Sequence, residues 1–370
     1  MRYNRVIAAV ALLGALGSSC TSEKPKDAFN PTPKPTRLGQ VVTIAGDYKV
    51  RGEPRDGEYA LRTSAYGDGG LAIGGDGTPY FGVLSGGDSR IAHVDSTGRL
   101  ATWKLGNIPN QLDVQGDALW LMSSFSGLDL TRVSLKTLKQ EVYVSWKSRL
   151  PGRLAVKSPS GRPIADDERS RLDRYWAGSR FVLRSDGVPV LVSKAGDLFE
   201  VAQHGELRQW HPSGYESALR KASGGKILDP TFATRDRSGG LILLGRRGLV
   251  RVPRDAGASG VAFPESTAKL PPWTGAAALN DGSILLLGGT TATGHTPRPT
   301  LEKPDGTMVR LDWGAPRSCA EFDGSLAVIG SAKPGGVAVR PDGSVVMSDK
   351  VCGRVYAFRP PKDMAGKSYN

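Results

Sequence analysis

A recurring unit constrains this chain more than any other feature. Short apolar runs of about five residues come in pairs, split by tight Gly-containing turns, and the pattern repeats along the whole chain. The turns are Asp76-Gly77, Gly116-Asp117, Asp186-Gly187, Ser238-Gly239, Asp281-Gly282 and Asp342-Gly343. Each follows a run such as Gly70–Gly74, Gln111–Val114, Arg180–Leu183, Thr231–Thr234, Ala276–Leu279 or Gly336–Val339, and each precedes a second run. Asp-Gly between alternating apolar residues is a strong hairpin signal, because glycine tolerates the positive φ that such turns need. Third and fourth runs follow in most units, as in Arg90–Val94 and Arg99–Trp103 around Thr97-Gly98. Six units of three or four strands therefore line up.

One such meander cannot bury both of its faces alone. Packing the units radially solves this and leaves only short, protected edges, which is a β-propeller. The sixth unit ends near Phe358 with three strands, while an unassigned strand, Gln40–Ala45, precedes the first unit. It fits as the fourth strand of the last sheet and would lock the ring. The expectation is an all-β, six-bladed propeller closed by its N-terminal strand. Glycine supports this, at 48 of 370 residues. That share suits turn-rich β structure, and the absence of a G-X-Y period excludes collagen.

The expected segments are 1–20, 21–38, 39–362 and 363–370. Arg2 and Arg5 precede a charge-free run, Val6–Gly17, which is too short to span a bilayer, and Ser18, Ser19 and Cys20 follow. This resembles a bacterial lipoprotein signal, in which Cys20 becomes the acylated first residue of the mature chain. Residues 21–38 are rich in Pro, Lys, Thr and Ser and suit an extended tether. The expected address is the outer face of the cell membrane. The short tail 363–370 follows the propeller.

The formal charge of +13 falls to +11 when residues 1–19 leave, since Arg2 and Arg5 go and no acid does. The excess is spread along the chain. Outside the cytoplasm it points away from nucleic acid and towards anionic lipid, cell-wall polymer, an envelope protein or an acidic ligand. Cys319 and Cys352 remain in the domain, and an oxidising compartment permits their pairing. In a propeller the blade-to-blade links and the links between second and third strands share one face, so both cysteines would meet there.

Val41–Gly46, then Asp68–Gly70 and the first unit, resemble the opening of an NHL-repeat propeller. Gly336–Asp349, followed by Arg354-Val355, is similar to one NHL repeat. The similarity covers roughly residues 40–103 and 335–358. It implies the propeller architecture.

Catalytic signatures are absent. There is no G-x-S-x-G, no H-E-x-x-H, no zinc-spaced cysteine pair and no Walker loop. His93, His204, His211 and His295 are scattered. Two places remain for a site. Positions just before each innermost strand would ring the channel, near Asp68, Asn110, Arg180, Asp229, Trp273 and Lys333. Asp68, Asn110 and Asp229 are oxygen donors suited to Ca²⁺, and six-bladed lactonases and related hydrolases use Asp, Asn and Glu there. The second place is the face bearing the long links. Lys194, Arg246, Arg247 and Lys350 would display there, with Tyr175 and Trp176 from an insertion at 147–178 whose residues 166–176 suit a short helix. Charge with aromatic surface suits a polar or anionic ligand or a protein partner. The reading is a monomeric, non-enzymatic binding module for a protein, glycan or peptide, with a metal-dependent propeller hydrolase or lactonase as the alternative.

Overall fold

A computed structural model describes residues 33–361, except 51–53, 66–69, 86–87, 106–108, 124–127, 146–177, 203–205, 264–272, 289–297, 315–317 and 322–323. Cys20, Asp68, Tyr175, Trp176 and the expected 166–176 helix lie outside the described residues, as do residues 21–32 and 363–370.

Six four-stranded antiparallel sheets form the blades of a propeller. The innermost strands are Leu71–Ile73, Gln111–Gln115, Arg180–Leu183, Pro230–Arg235, Trp273–Ala278 and Pro334–Val339. Neighbouring innermost strands adjoin all the way round the ring. Five blades are sequential meanders. The sixth combines Pro334–Val339, Val345–Asp349 and Arg354–Phe358 with Val41–Ala45 as its outer strand. Val41 pairs with Phe358, Thr43 with Tyr356 and Ala45 with Val355. The chain's first strand therefore closes the ring, as the incomplete sixth unit required.

The turns show why these runs become hairpins. At Asp342-Gly343 the Asp342 Oδ1 accepts bonds from the Ser344 amide (2.9 Å) and hydroxyl (2.6 Å), and Gly343 adopts φ 82°. The carboxylate replaces backbone partners, and glycine meets no Cβ penalty at positive φ.

The core lies between blades rather than within them. Ile44, Phe81, Val346 and Ala357 pack where blades six and one meet. Trp120 and Phe199 are buried between blades two and three. The blades approach closely at the centre: a Cβ on Gly336 would stand 2.3 Å from the Leu71 amide nitrogen. A helix, Tyr215–Ser223, precedes blade four. It wedges between blades three and four through Tyr215, Ala218 and Ala222.

Residues 33–38 contact the propeller. Pro35 is buried, and the Pro33 carbonyl accepts a 3.2 Å bond from Arg340 Nη1. Arg340 Nε donates to the Gly77 carbonyl at 3.2 Å, which ties this corner to blade one. No helix among the described residues is long and apolar enough to cross a membrane.

Candidate functional site

Each innermost strand enters from one face, here called the upper face, and ends in a turn on the lower one. The links before innermost strands and those between second and third strands share the upper face. The Cys319–Cys352 disulfide lies there, with a Cα separation of 5.3 Å. The long connection between blades five and six is thus clamped beside Lys350. The Arg354 Nη1 bond to the Cys319 carbonyl (3.3 Å) reinforces that clamp.

The innermost strands enclose a channel of about 1350 Å³. Its wall is strongly cationic. At the upper mouth it is lined by Arg180, Arg246, Lys333 and Lys350, with Asn110 and Thr274; towards the lower mouth come Arg237, Arg254 and Arg340. Asp113 and Asp236 are its acidic lining residues among those described.

Midway, polar side chains reach from blade two across to blade four. Gln111 Nε2 donates to the Ala233 carbonyl at 2.9 Å and to that of Phe181, while Gln111 Oε1 accepts from the Phe181 amide at 3.0 Å. Arg235 pairs with Asp113 at 3.1 Å, and the Leu183 amide donates to the other Asp113 oxygen. Burial pushes the Asp113 carboxyl above its ordinary range, while the Arg235 charge pulls it back. These groups satisfy one another.

The upper mouth differs. Arg180 begins the innermost strand of blade three. Its Nε donates to the Thr231 carbonyl (2.8 Å), and its Nη1 donates to the Gly178 (3.0 Å) and Ser179 (2.9 Å) carbonyls. Desolvation lowers its pKa to about 10, opposed by the Asp229 charge. It remains a cation at neutral pH, held by carbonyl dipoles. Asp229 itself forms an ion pair with Arg246 and sits in the left-handed region at φ 49°. Below Lys333 and Lys350 lies Asp349, whose Oδ1 accepts from the Val351 (2.8 Å) and Lys333 (3.2 Å) amides. Burial raises its pKa, and burial beside Asp349 pushes Tyr356 up to about 12.

The residues expected to ring the channel therefore divide. Asn110, Arg180 and Lys333 line it. Trp273 does not: it is buried against Phe263, ring centroids 4.6 Å apart, and its Nε1 donates to the Arg298 carbonyl. The reason is the strand's start, which lies at Trp273 rather than Ala276 and turns that side chain into the space between sheets. Asp229 belongs to the mouth through its pair with Arg246. No group of three His, Cys, Asp or Glu side chains among the described residues could hold a metal. Of the four rim cations, Arg246 and Lys350 line the channel, while Lys194 and Arg247 occupy upper-face links without lining it. The Lys194 carbonyl accepts the Asp229 amide at 3.1 Å. Exposed Ile227 and Val351 share that face. Arg180 and Lys333 were expected only as positions in the channel ring, with no role assigned to their charge.

Comparison with known proteins places the chain by shape. No family model matches the sequence, and no curated protein matches it. Solved structures do match. A protein of unknown function from Bacteroides thetaiotaomicron aligns over 86% of this chain and 75% of its own, with TM-score 0.55 and 10% identity. The Myceliophteria thermophila Cps50 (Swd1) β-propeller domain aligns over 79% and 83%, with TM-score 0.50 and 12% identity. A streptogramin B lyase structure aligns over 81% and 95%, with TM-score 0.47 and 15% identity. At these identities the likeness to the first two speaks for the fold alone, and the third carries no argument.

Proposed function

We propose that this chain is a lipid-anchored, extracytoplasmic six-bladed propeller of NHL-like descent that works as a binding module, without catalysis of its own. Cys20 would carry the lipid and residues 21–32 would span from membrane to domain. The partner, a protein, peptide or glycan with polar or anionic character, would dock on the upper face. The observation carrying this reading is the gathering of Lys194, Arg246, Arg247 and Lys350 on one face with exposed Ile227 and Val351, around a cationic channel mouth. Mixed charge and apolar surface is what recognition patches present. The pairing of Asp229 with Arg246 also supports binding over a calcium-dependent hydrolase, because that carboxylate is already engaged.

Photo-crosslinking in the intact envelope tests the reading. A crosslinker at Ile227 or Val351 should give a discrete adduct that charge reversal of Lys194, Arg247 and Lys350 abolishes. A crosslinker at Thr97, on the lower face, should not give it. Equal adducts from both faces, or turnover of lactones or esters by the metal-replete protein, would refute the proposal. The mass of the mature chain tests the anchor: Cys20→Ser should remove the acyl increment, and an unchanged mass would rule it out.

A further inference from the structure

We infer that the upper mouth of the channel is an oxyanion site, in which Arg180 and, on the opposite wall, Lys333 hold a carboxylate or phosphate group of the ligand. This rests on the binding-module reading and gives it a chemistry. A guanidinium has five N–H donors. Three of Arg180's are used on the Thr231, Gly178 and Ser179 carbonyls, which fix the plane of the fork. Both N–H groups of Nη2 are left without an acceptor among the described residues, and the side chain lines the channel. A desolvated cation is costly unless paired.

Two other cations of the wall have carboxylate partners. Arg235 has Asp113 at 3.1 Å and Arg246 has Asp229. Arg180 feels Asp229 only through space, and that carboxylate is taken. No carboxylate among the described residues lines this end of the channel. Lys333 stands on blade six, opposite blade three, with its side chain exposed. A preset fork and an opposing ammonium together make a site for oxygen atoms bearing negative charge. Arginine's fork matches the planar oxygens of carboxylate and phosphate.

Calorimetric titration of the mature full chain with citrate, inorganic phosphate and sodium chloride tests this. Citrate and phosphate separate the carboxylate and phosphate sources of the same chemistry. Wild type should bind at least one with sub-millimolar affinity and ignore chloride. Arg180→Gln should weaken binding by about ten- to a hundredfold, the usual effect of losing a charge-assisted bond. Arg180→Lys should fall between the two. Arg180 also ties backbone carbonyls, so its variants need matching melting curves. If Arg180→Gln does not fold, Lys333→Gln decides: its side chain makes no bond among the described residues, and several-fold weaker binding is expected. Absence of binding to either oxyanion, or unchanged affinity in the folded variants, overturns the inference. An envelope partner held at the rim regardless of Arg180 would leave the binding-module reading standing and refute this one. Citrate binding without any partner would do the reverse.

Discussion

Reduction of the Cys319–Cys352 disulfide should lower the melting temperature by about 5–6 °C without unfolding the ring. The bond closes a loop with a sequence separation of 33. In the chain-entropy model such a loop removes about 12.5 cal/mol/K from the unfolded state, or ~3.7 kcal/mol at 25 °C. Unfolding entropy near 60 °C is ~2.1 cal/mol/K per residue, so roughly 320 propeller residues give ~0.7 kcal/mol per degree. The ratio gives the expected shift. The native state should change little, because other bonds hold the same segment. Arg354 grips the Cys319 carbonyl, and the Val41 amide donates to the Gly324 carbonyl at 2.8 Å. The assay is calorimetry of the oxidised chain, the reduced chain and Cys319→Ser/Cys352→Ser, with near-ultraviolet circular dichroism. A shift under 1 °C in both reduced forms would refute the loop-entropy argument. A lost near-ultraviolet spectrum at 25 °C would refute the claim that the clamp is redundant in the native state.

Three further outcomes are expected. Glu302 is 1% exposed and pairs with Arg251, joining blades five and four. Glu302→Leu should cost about 3–5 kcal/mol by stranding the arginine, while Glu302→Leu with Arg251→Met should return to within about 1 kcal/mol of wild type, measured by urea midpoints. Gly260→Ala would place a Cβ 2.0 Å from the Ala218 carbonyl oxygen, so the Tyr215–Ser223 helix must shift, at about 2–3 kcal/mol in thermal denaturation. At Asp342 burial opposes ionisation, but the Ser344 hydroxyl and amide, with Arg359 and Arg340 nearby, hold its carboxyl below the ordinary value. Its folded pKa is depressed, so its stabilisation is full above the unfolded pKa near 3.9 and fades as pH falls through the folded pKa. Asp342→Asn should therefore destabilise at pH 7 and shallow the loss of stability below about pH 4 in melting curves.

Much of the fold was legible because a propeller is built from local instructions. Asp342-Gly343 forms its turn from its own side chain and glycine, and beyond it Val345 and Met347 enter one interblade core while Val346 enters the other. Even ring closure was legible, since a three-stranded sixth unit and a spare strand at Val41–Ala45 complement each other. The pairing of Cys319 with Cys352 followed from topology once the faces were assigned.

The site was less legible. Trp273 was counted with the channel because its strand was read as starting at Ala276, and a shift of odd length reverses which side a strand residue faces. Asp229 looked like a free oxygen donor until Arg246, on the next link of its blade, was seen to take it.

What the sequence determined by itself is the architecture: six hairpin-rich units, the closing strand and the face shared by the long links. Each follows from turn chemistry and period-two patterning within a few tens of residues. What only the tertiary structure decided is which charges remain unpaired in the channel. Blade two's Asp113 meets blade four's Arg235, and blade three's Arg180 meets only carbonyls. Pairing depends on distances between side chains brought round a ring from distant blades, and no local pattern encodes those distances.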